Sequence, residues 1–366
     1  MSDPRLPRFS RRAFLAAGAS LPFYNEITLA QNSNIGPIPE GAVRLNSNEN
    51  PLGPCPEALE AIFSMGRDGG RYYFESGPRM AALLAQQEGL PATHAAAFAG
   101  SSDPLHRAVL AFTGKGRPLI TADPGYESPA GAAEFTGAGT IAVPLTKSWA
   151  HDVRAMAKAH PSPGLIYVCN PNNPTGTVTP RADIEWLIAN KPAGAIVLLD
   201  EAYIHFCHER RGSEFVAAGK DVIILRTFSK IYGMAGIRAG AALARPDLLA
   251  RLRGFGTGFL PTTGMAAAEA SLRVHNLVNE RRQLVEGIRD DLCSWLTARN
   301  ISFIPSVSNK VMIDVKRPGR EVFTAMAAKG VYIGRSWPSL PTHVRVTIGA
   351  REEMERFKQV FAEVMA

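Results

Sequence analysis

Lys230 has the surroundings that covalent chemistry on a carbonyl group requires. It ends the string RTFSK at residues 226–230, directly after the apolar run at residues 222–225. A lysine at the end of a buried strand loses hydration, and the nearby cation of Arg238 lowers the pKa of its amine further. An amine with a lowered pKa is nucleophilic, so the string indicates a lysine that forms an imine. Taken alone, the same lysine would be interpreted as a solvated surface amine.

Two further strings carry acidic and amide side chains at the ends of apolar runs. Asp200 leaves a wholly apolar run in LDEAY, residues 199–203, where an unpaired carboxylate would be costly. It therefore needs a cationic or hydrogen-bond-donating partner. The string CNPNNPTG at residues 169–176 contains two prolines that fix the backbone, so its asparagine amides point in set directions. A simple turn is the alternative for this string.

Two candidate anion sites complete the set. The string AGSSD at residues 99–103 precedes a helix that we expect from Pro104, and backbone N–H groups at a helix start can hold an anion together with two hydroxyls. Ordinary helix capping by serine and aspartate explains this string equally well. Arg345 lies on an apolar strand in RVTIG, residues 345–349, where arginine usually binds a carboxylate or phosphate through two N–H groups. An internal salt bridge is the alternative.

Alternating apolar runs and amphipathic stretches must position these residues. The runs at 196–199 and 222–225 are apolar on both faces, as strands between two helix layers are. We predict strands at residues 118–121, 140–143, 165–169, 195–199, 222–226 and 239–243, and helices at 79–88, 104–112, 181–190 and 246–252. The chain is therefore predicted to be an α/β protein with a doubly wound, mostly parallel sheet.

The pattern changes after Gly264. A long helix is predicted at residues 265–298, followed by strands at 310–315, 331–333 and 343–348 and helices at 321–329 and 352–365. These elements indicate a second, smaller α+β domain. We expect an irregular N-terminal arm at residues 31–56, a large domain with the binding site at 57–260, and the small domain at 261–366.

Residues 1–30 are predicted to be a targeting signal. A basic start contains Arg11 and Arg12 in SRRAFL, and a weakly apolar run rich in alanine and glycine follows. This resembles a twin-arginine export signal, so we expect an export translocase to carry the folded protein to the periplasm or beyond. The alternatives are an amphipathic N-terminal helix and a cytoplasmic protein.

The composition excludes several function classes. Of 366 residues, 46% are hydrophobic and 20% charged, which is typical of a globular protein. The net charge of +7 includes no basic block with interleaved aromatic residues, so nucleic-acid binding is not expected. No apolar run is long enough for a spanning helix, so stable membrane association is not expected. The four cysteines are far apart and His205 and His208 lack a third ligand, so no metal site is predicted.

The strings NNPTG, DEAY, TFSK and RVTIG, in this order, resemble the fold-type I pyridoxal-phosphate aminotransferases over residues 40–366, most closely the histidinol-phosphate aminotransferase branch. The resemblance implies pyridoxal 5′-phosphate as cofactor, bound by the large domain, and an amino donor and a 2-oxo acid as substrates. It also implies a ping-pong reaction and a homodimer. Three residues would be catalytic: Lys230 forms an imine with the cofactor, Asp200 pairs with the pyridinium nitrogen, and Tyr203 binds the ring oxygen.

The resemblance also assigns the remaining contacts. Asn173 would share the ring oxygen with Tyr203, and Tyr126 would stack on the ring. The other residues assigned to the cofactor, mostly to its phosphate, are Ser102, Asp103, Thr227, Ser229, Arg238 and, from the other subunit, Tyr72. Arg345 would bind the substrate carboxylate or an equivalent phosphate, with Asn173 and Arg335 beside it.

Three positions depart from the family pattern. Tyr73 follows Tyr72 where a proline is usual, and Pro104 stands where an acidic residue is common. Gly334 occupies the usual place of a second arginine, and Arg335 comes one residue later. A shift of one residue on a strand turns a side chain to the other face. We therefore expect weaker recognition of a phosphorylated substrate, and Trp337 would favour an aromatic or apolar amino acid.

Two other classes of function remain open at this point. The same lysine and aspartate serve lyases, racemases and oxidases that act on amino acids, and such enzymes would work without a 2-oxo acid. A cofactor-binding module without turnover is the second alternative, but it leaves Lys230 and Arg345 unexplained.

Overall fold

A seven-stranded sheet is the largest sheet in the computed structural model, which describes residues 37–256 and 258–366. The strand order is β2-β8-β7-β6-β5-β3-β4; β8 pairs antiparallel with both β2 and β7, and the other neighbouring strands of this sheet pair in parallel. The strands are β2 (Ala95–Phe98), β3 (Leu119–Asp123), β4 (Thr140–Pro144), β5 (Leu165–Cys169), β6 (Ile196–Asp200), β7 (Val222–Thr227) and β8 (Gly240–Leu243). The predicted α/β class with a mostly parallel sheet is confirmed.

Helices cover this sheet, which explains the composition of its central strands. Every residue of β5, β6 and β7 is buried, so both faces of these strands need apolar side chains. The helices of this part of the chain are α1 (Pro56–Arg67), α2 (Ser76–Gln87), α3 (Ser102–Phe112), α4 (Ser128–Phe135), α5 (Val153–Lys158), α6 (Arg181–Asn190), α7 (Ser213–Ala217) and α8 (Pro246–Arg253). Short 3-10 turns lie at Ala92–His94 and Ile204–Phe206.

The rest of the chain builds smaller sheets. Strands β9 (Phe303–Ile304), β10 (Lys310–Asp314) and β12 (His343–Thr347) form an antiparallel sheet in the order β12-β10-β9. The remaining elements here are β11 (Val331–Ile333) and the helices α9 (Thr262–Arg273), α10 (Leu277–Thr297), α11 (Gly319–Ala328) and α12 (Arg351–Met365). Strand β1 (Val43–Leu45), from the N-terminal arm, pairs in parallel with β11.

The single long helix predicted at 265–298 is wrong. The chain forms α9 and α10 instead, and Asn276 before α10 has a φ of 62°. A residue in this left-handed conformation cannot continue a right-handed helix. The residues between α9 and α10 include no proline or glycine, so the amphipathic pattern alone predicts one continuous helix.

The elements that the sequence did not predict are rich in alanine or depend on distant partners. Strand β2 is AAAF and α4 is SPAGAAEF, and neither has the β-branched or periodic pattern of its type. Helix α1 follows the proline-rich arm, and β1 exists through its pairing with β11. The arm therefore contains one regular element, β1, although an irregular arm was predicted.

A buried ion network lies beside the ends of β6 and β7. Arg226 of β7 contacts the carboxylate of Glu201, which follows β6, and donates a hydrogen bond of 3.1 Å to Glu88 at the end of α2. Arg211 binds the other oxygen of Glu88 at 2.8 Å. Burial alone would raise the pKa of Glu88, but the guanidinium groups of Arg226 and Arg211 lower it to about 2. The carboxylate therefore stays charged.

No helix in the described ranges combines the length and the apolar character that crossing a membrane requires.

Candidate active site

The carboxyl ends of three adjacent parallel strands meet at one edge of the large sheet. The strands β5, β6 and β7 end at Cys169, Asp200 and Thr227, and Cys169 lies beside Asp200 in the register. This edge is where open α/β sheets bind ligands. A cavity of about 280 Å³ opens there. Of the predicted site residues, those that line it are Ser102, Tyr126, Asn173, Asp200, Tyr203, Thr227, Ser229, Lys230, Arg238, Arg335 and Arg345.

Asp200 presents a hydrogen-bonded carboxylate in this cavity. One oxygen accepts a hydrogen bond of 2.8 Å from the hydroxyl of Tyr167, and the other accepts one of 3.1 Å from the backbone N–H of Ala202. Burial, with a further contribution from Asp200, raises the pKa of Tyr167 well above its ordinary value, so this hydroxyl remains a donor. Hydrogen bonds from two donors favour the ionised carboxylate.

Lys230 lines the same cavity and does not extend into bulk solvent. Its Nζ donates a hydrogen bond of 3.3 Å to the backbone oxygen of Ser47, and it lies 5.8 Å from the centroid of the Tyr203 ring. The amine and the carboxylate of Asp200 therefore belong to one cavity. The alternative of a surface lysine does not hold.

The other end of the cavity is built to bind an anion. Helix α3 points its N-terminus there, and Ser101 and Ser102 line the wall without a side-chain capping bond at Ser101. Arg238 donates hydrogen bonds to the Oγ of Ser229 at 3.3 Å and to the backbone oxygen of Ala99 at 3.2 Å. Gly100 has a φ of 86°, and a Cβ there would collide with the Arg238 guanidinium. Glycine is required because the arginine fills that space.

Asp103 does not face the cavity, in contrast to its predicted contact with the phosphate. Its two carboxylate oxygens accept hydrogen bonds of 2.5 and 3.0 Å from Arg107, one turn along α3. The physical reason is charge: a carboxylate inside an anion site would repel the ligand, and Arg107 holds it away.

Tyr72 also lies outside the cavity of its own chain. Its side chain is 68% exposed; it stacks on Phe74 with 5.3 Å between ring centroids and makes a tilted ring contact with Phe259 at 5.2 Å. The predicted contact of Tyr72 with a second subunit stays a prediction.

The N-terminal arm supplies cavity residues that the sequence did not predict, namely Asn46, Ser47, Asn48 and Glu49. Asn48 Nδ2 donates a hydrogen bond of 2.9 Å to the hydroxyl oxygen of Tyr203, and Asn173 Oδ1 lies 3.5 Å away. The φ of Asn48 is 53°, a conformation that asparagine tolerates better than most residues. The repeated asparagines of LNSNENP were the available signal.

Arg345 reaches the cavity from β12. Its Nη1 donates to Asn173 Oδ1 at 3.0 Å and its Nη2 to the backbone oxygen of Asn46 at 2.6 Å, while its Nε is buried with no hydrogen-bond partner in the described part of the chain. Burial lowers the pKa of Arg345 to about 10, so it remains a cation at neutral pH. It forms no ion pair with any described carboxylate, which removes the alternative of an internal salt bridge.

Arg335 lines the cavity as well, although the one-residue shift was expected to turn it away. Strand β11 ends at Ile333, so the alternation of faces along a strand does not extend to residue 335. Arg335 Nη2 donates to both carboxylate oxygens of Glu127 at 2.6 Å, and its guanidinium lies 4.2 Å from the ring centroid of Trp337. Trp337 forms part of the same wall.

The donor set fits pyridoxal 5′-phosphate, the cofactor that the resemblance implies. A dianionic phosphate matches the helix N-terminus and Arg238, an amine stands at Lys230, and an ionised carboxylate at Asp200 matches a protonated pyridine nitrogen. Arg238, Lys230 and Asp200 line one and the same cavity.

A metal ion has no comparable set of ligands. No group of three or more His, Cys, Asp or Glu side chains suited to a metal ion occurs within residues 37–256 and 258–366. Burial lowers the pKa of His205 to about 3, so this histidine is a neutral core residue.

Comparison with known proteins agrees with a site for pyridoxal 5′-phosphate. The family model for aminotransferase class I and II matches residues 40–361. Histidinol-phosphate aminotransferase 1 of Nitrosococcus oceani is 36% identical over 331 residues, 89% of each chain. The aromatic amino acid aminotransferase of Cutibacterium acnes is 32% identical over 89% of this chain and 93% of its own. The solved histidinol-phosphate aminotransferase of Sinorhizobium meliloti, in complex with pyridoxal-5′-phosphate, has a TM-score of 0.84 at 25% identity over 98% of both chains.

Proposed function

The chain belongs to the class I and II aminotransferase family, and on that premise we propose how its residues divide the work of amino transfer. It is a pyridoxal 5′-phosphate-dependent aminotransferase that moves an amino group to a 2-oxo acid. The observation that carries the assignment of roles is that Lys230, Asp200 and the anion site at Arg238 share one cavity.

Three groups of residues hold the cofactor in this proposal. Lys230 binds it covalently through Nζ, and Asp200 keeps the pyridine nitrogen protonated. Asn173 and Tyr203 bind the ring oxygen, and Tyr126 stacks on the ring. The phosphate is bound at the start of α3 and between the hydroxyl and guanidinium side chains of Ser102, Thr227, Ser229 and Arg238.

Lys230 also moves the proton. Once the amino donor has displaced it from the cofactor, the free Nζ of Lys230 would be the base that removes the proton from the donor's α-carbon and later gives it back. The bound cofactor supplies an electron sink for the carbon that loses this proton. Asp200 would sustain that sink, since its carboxylate accepts hydrogen bonds from two donors, which favour the charged form.

The part of the cavity wall proposed to contact the substrate consists of Arg345, Arg335 and Trp337. Arg345 binds the donor carboxylate, or the phosphate of an amino-alcohol phosphate, because it is a cation with an unpaired Nε and no carboxylate partner in the described chain. Trp337 packs beside the donor side chain. The ion pair of Arg335 with Glu127 leaves this wall nearly neutral, which suits an aromatic or imidazole-bearing donor.

A donor screen tests this function. Purified holoenzyme is mixed with single L-amino acids and with histidinol phosphate without any 2-oxo acid, and the visible absorbance of the cofactor is followed. We expect bleaching by at least one aromatic or imidazole-bearing donor and recovery on addition of 2-oxoglutarate. Lys230→Ala is the matched control and should show neither change. Bleaching that releases ammonia or peroxide and does not reverse with an oxo acid would contradict amino transfer.

We further propose that the active enzyme is a homodimer with shared sites. The exposed cluster of Tyr72, Phe74 and Phe259 supports this, because contiguous exposed aromatic rings are typical of protein interfaces. Mixing Lys230→Ala with Tyr72→Ala should then restore activity that neither variant has, since one site of a mixed dimer is intact. Activity of the mixture equal to the average of the two variants would argue against shared sites.

The location proposed for the enzyme is the periplasm or the exterior. Residues 1–30, which lie outside the described residues, contain the two adjacent arginines of the twin-arginine pattern. A reporter that fluoresces only after export in the folded state, fused to residues 1–34, should reach the periplasm, and changing Arg11 and Arg12 to lysine should stop it. Retention of the unaltered fusion in the cytoplasm would refute export.

A further inference from the structure

Lys310 is a fully buried lysine without an acidic partner. It is the first residue of β10, and its side chain is 0% exposed, while the next three residues of the strand are apolar. It forms no ion pair with any carboxylate in the described ranges; its Nζ donates a single hydrogen bond, of 2.7 Å, to the Oγ of Ser308. An apolar side chain of similar length would avoid the cost of burying an amine. The lysine therefore calls for an explanation.

The amine lies against a residue of the active site. Its Nζ is 3.2 Å from the centroid of the Tyr203 ring. Tyr203 lines the cavity and its hydroxyl oxygen accepts a hydrogen bond from Asn48, whereas Lys310 is not part of the cavity wall. Any influence of Lys310 on the reaction must pass through Tyr203 or through space.

The surrounding charges indicate which form of the amine is present. The titratable groups that act on Lys310 come from four neighbouring strands: Cys169 at the end of β5, Asp200 at the end of β6, Lys230 just after β7 and Arg345 on β12. Burial, helped by the cations Arg345 and Lys230, holds the pKa of Lys310 well below its ordinary value against the opposing effect of Cys169 and Asp200. Because burial also raises the pKa of Cys169 to about 12, this thiol carries no charge at neutral pH.

A neutral amine has two N–H groups, and the structure offers two acceptors. One is the hydroxyl of Ser308 and the other is the face of the Tyr203 ring, which accepts a weak N–H···π hydrogen bond. A charged amine would have a third N–H with no acceptor among the described residues. The amine, held by Ser308, lies against one face of the Tyr203 ring, while Asn48 holds the hydroxyl end of that ring.

We propose that Lys310 is a positioning residue, which fixes the plane of the Tyr203 ring so that the phenol hydroxyl stays directed at the ring oxygen of the bound cofactor. This inference rests on the role proposed above for Tyr203. A phenol that donates a hydrogen bond to the ring oxygen stabilises negative charge on that oxygen. It therefore lowers the affinity for the proton that the ring oxygen shares with the Lys230 nitrogen. Loss of that alignment should raise the pH at which the cofactor absorbance titrates.

The test is an absorbance titration of the holoenzyme between pH 5 and pH 10. Lys310→Met removes both N–H groups at similar side-chain length, and we expect its midpoint to move upward by about half a pH unit or more, which is about threefold in proton affinity. Tyr203→Phe should move it in the same direction and further. The double variant should match Tyr203→Phe alone, because both changes act on one group. Lys310→Gln, which keeps neutral N–H donors, should restore the original midpoint.

Three results would overturn the proposal: an unchanged midpoint in Lys310→Met, shifts that add in the double variant, or a Lys310→Gln variant that behaves like Lys310→Met. If Lys310→Met does not fold, Ser308→Ala releases the amine without a large change in volume and should give a smaller upward shift, and no shift there would equally overturn the proposal. Failure of the proposed function looks different, because the unaltered enzyme would then show no cofactor absorbance that titrates.

Discussion

Asn48 connects the N-terminal arm to the active site. Its side chain binds Tyr203 and its backbone is held on both sides, by Thr347 Oγ1 at 2.9 Å and by Asn309 Nδ2 at 3.1 Å. The arm therefore shapes the cavity and does not merely pass over it.

Asn48→Ala should lower the affinity for pyridoxal 5′-phosphate about fivefold, because a buried hydrogen bond to Tyr203 contributes on the order of 1 kcal/mol. Titration of the apoenzyme with the cofactor measures this. Asn190→Ala is the matched control, since that exposed amide bonds only the backbone of Trp186 among the described residues. Equal affinities for the two variants would show that Asn48 has no part in the site.

Gly100 gives a second test at the scale of a residue. Gly100→Ala should displace the Arg238 guanidinium and weaken phosphate binding, as measured by the protection that inorganic phosphate gives the apoenzyme against thermal unfolding. Gly116→Ala is the control: its φ of 77° imposes a similar backbone strain of about 1–2 kcal/mol, but a Cβ there meets nothing within 4 Å. Both variants lose stability, and only Gly100→Ala should lose the protection by phosphate. Identical protection would contradict the anion site.

At this scale the sequence predicted most of the site. Residues that end buried strands, such as Asp200 and Lys230, were recognisable because a polar group in an apolar run needs a reason. Asn48 was not, because its role depends on contact with β12, far away in the chain. The direction of the Asp103 side chain could not be predicted, because the sequence does not show that Arg107 binds its carboxylate.

Among the secondary structure elements, the central strands were predictable and the alanine-rich ones were not. Strands β5, β6 and β7 are apolar on both faces, a pattern that few other structures explain. Strand β2 and helix α4 take their form from tertiary packing, and the break between α9 and α10 depends on the φ of Asn276. Local sequence does not determine such features.

The ion network at the ends of α2, β6 and β7 gives a prediction for stability against pH. The pKa of Glu88 falls from its ordinary 4.5 to about 2, so the stabilisation is fully present above pH 4.5 and is lost as the pH falls toward 2. A shift of this size corresponds to about 3 kcal/mol. Urea unfolding at several pH values should show a steep loss below pH 4.5 in the unaltered protein.

Glu88→Gln should flatten this dependence and lower the stability near pH 7. Glu185→Gln is the control, because that exposed carboxylate pairs with Arg181 on the surface and should change little. If the free energy of unfolding of Glu88→Gln fell with decreasing pH as steeply as that of the unaltered protein, the charge of Glu88 would not be the cause of the pH dependence.

For the whole molecule, the exposed aromatic cluster predicts association. Tyr72→Ala combined with Phe74→Ala should shift the molecule toward monomer on dilution, as followed by sedimentation, because the two rings are 68% and 67% exposed in one chain and would be buried between two. Phe135→Ala, at a ring 72% exposed elsewhere on the surface, is the control. A double variant that stays as dimeric as the control would place the interface elsewhere.

We propose that Lys230 is the amine that carries the cofactor, and the buried amine of Lys310 provides a direct comparison. Holoenzyme is reduced with borohydride, digested and examined by mass spectrometry. We expect the reduced cofactor on the peptide that contains Lys230, in the unaltered enzyme and in Lys310→Met alike. Label on the peptide of Lys310, or on no lysine peptide, would contradict it.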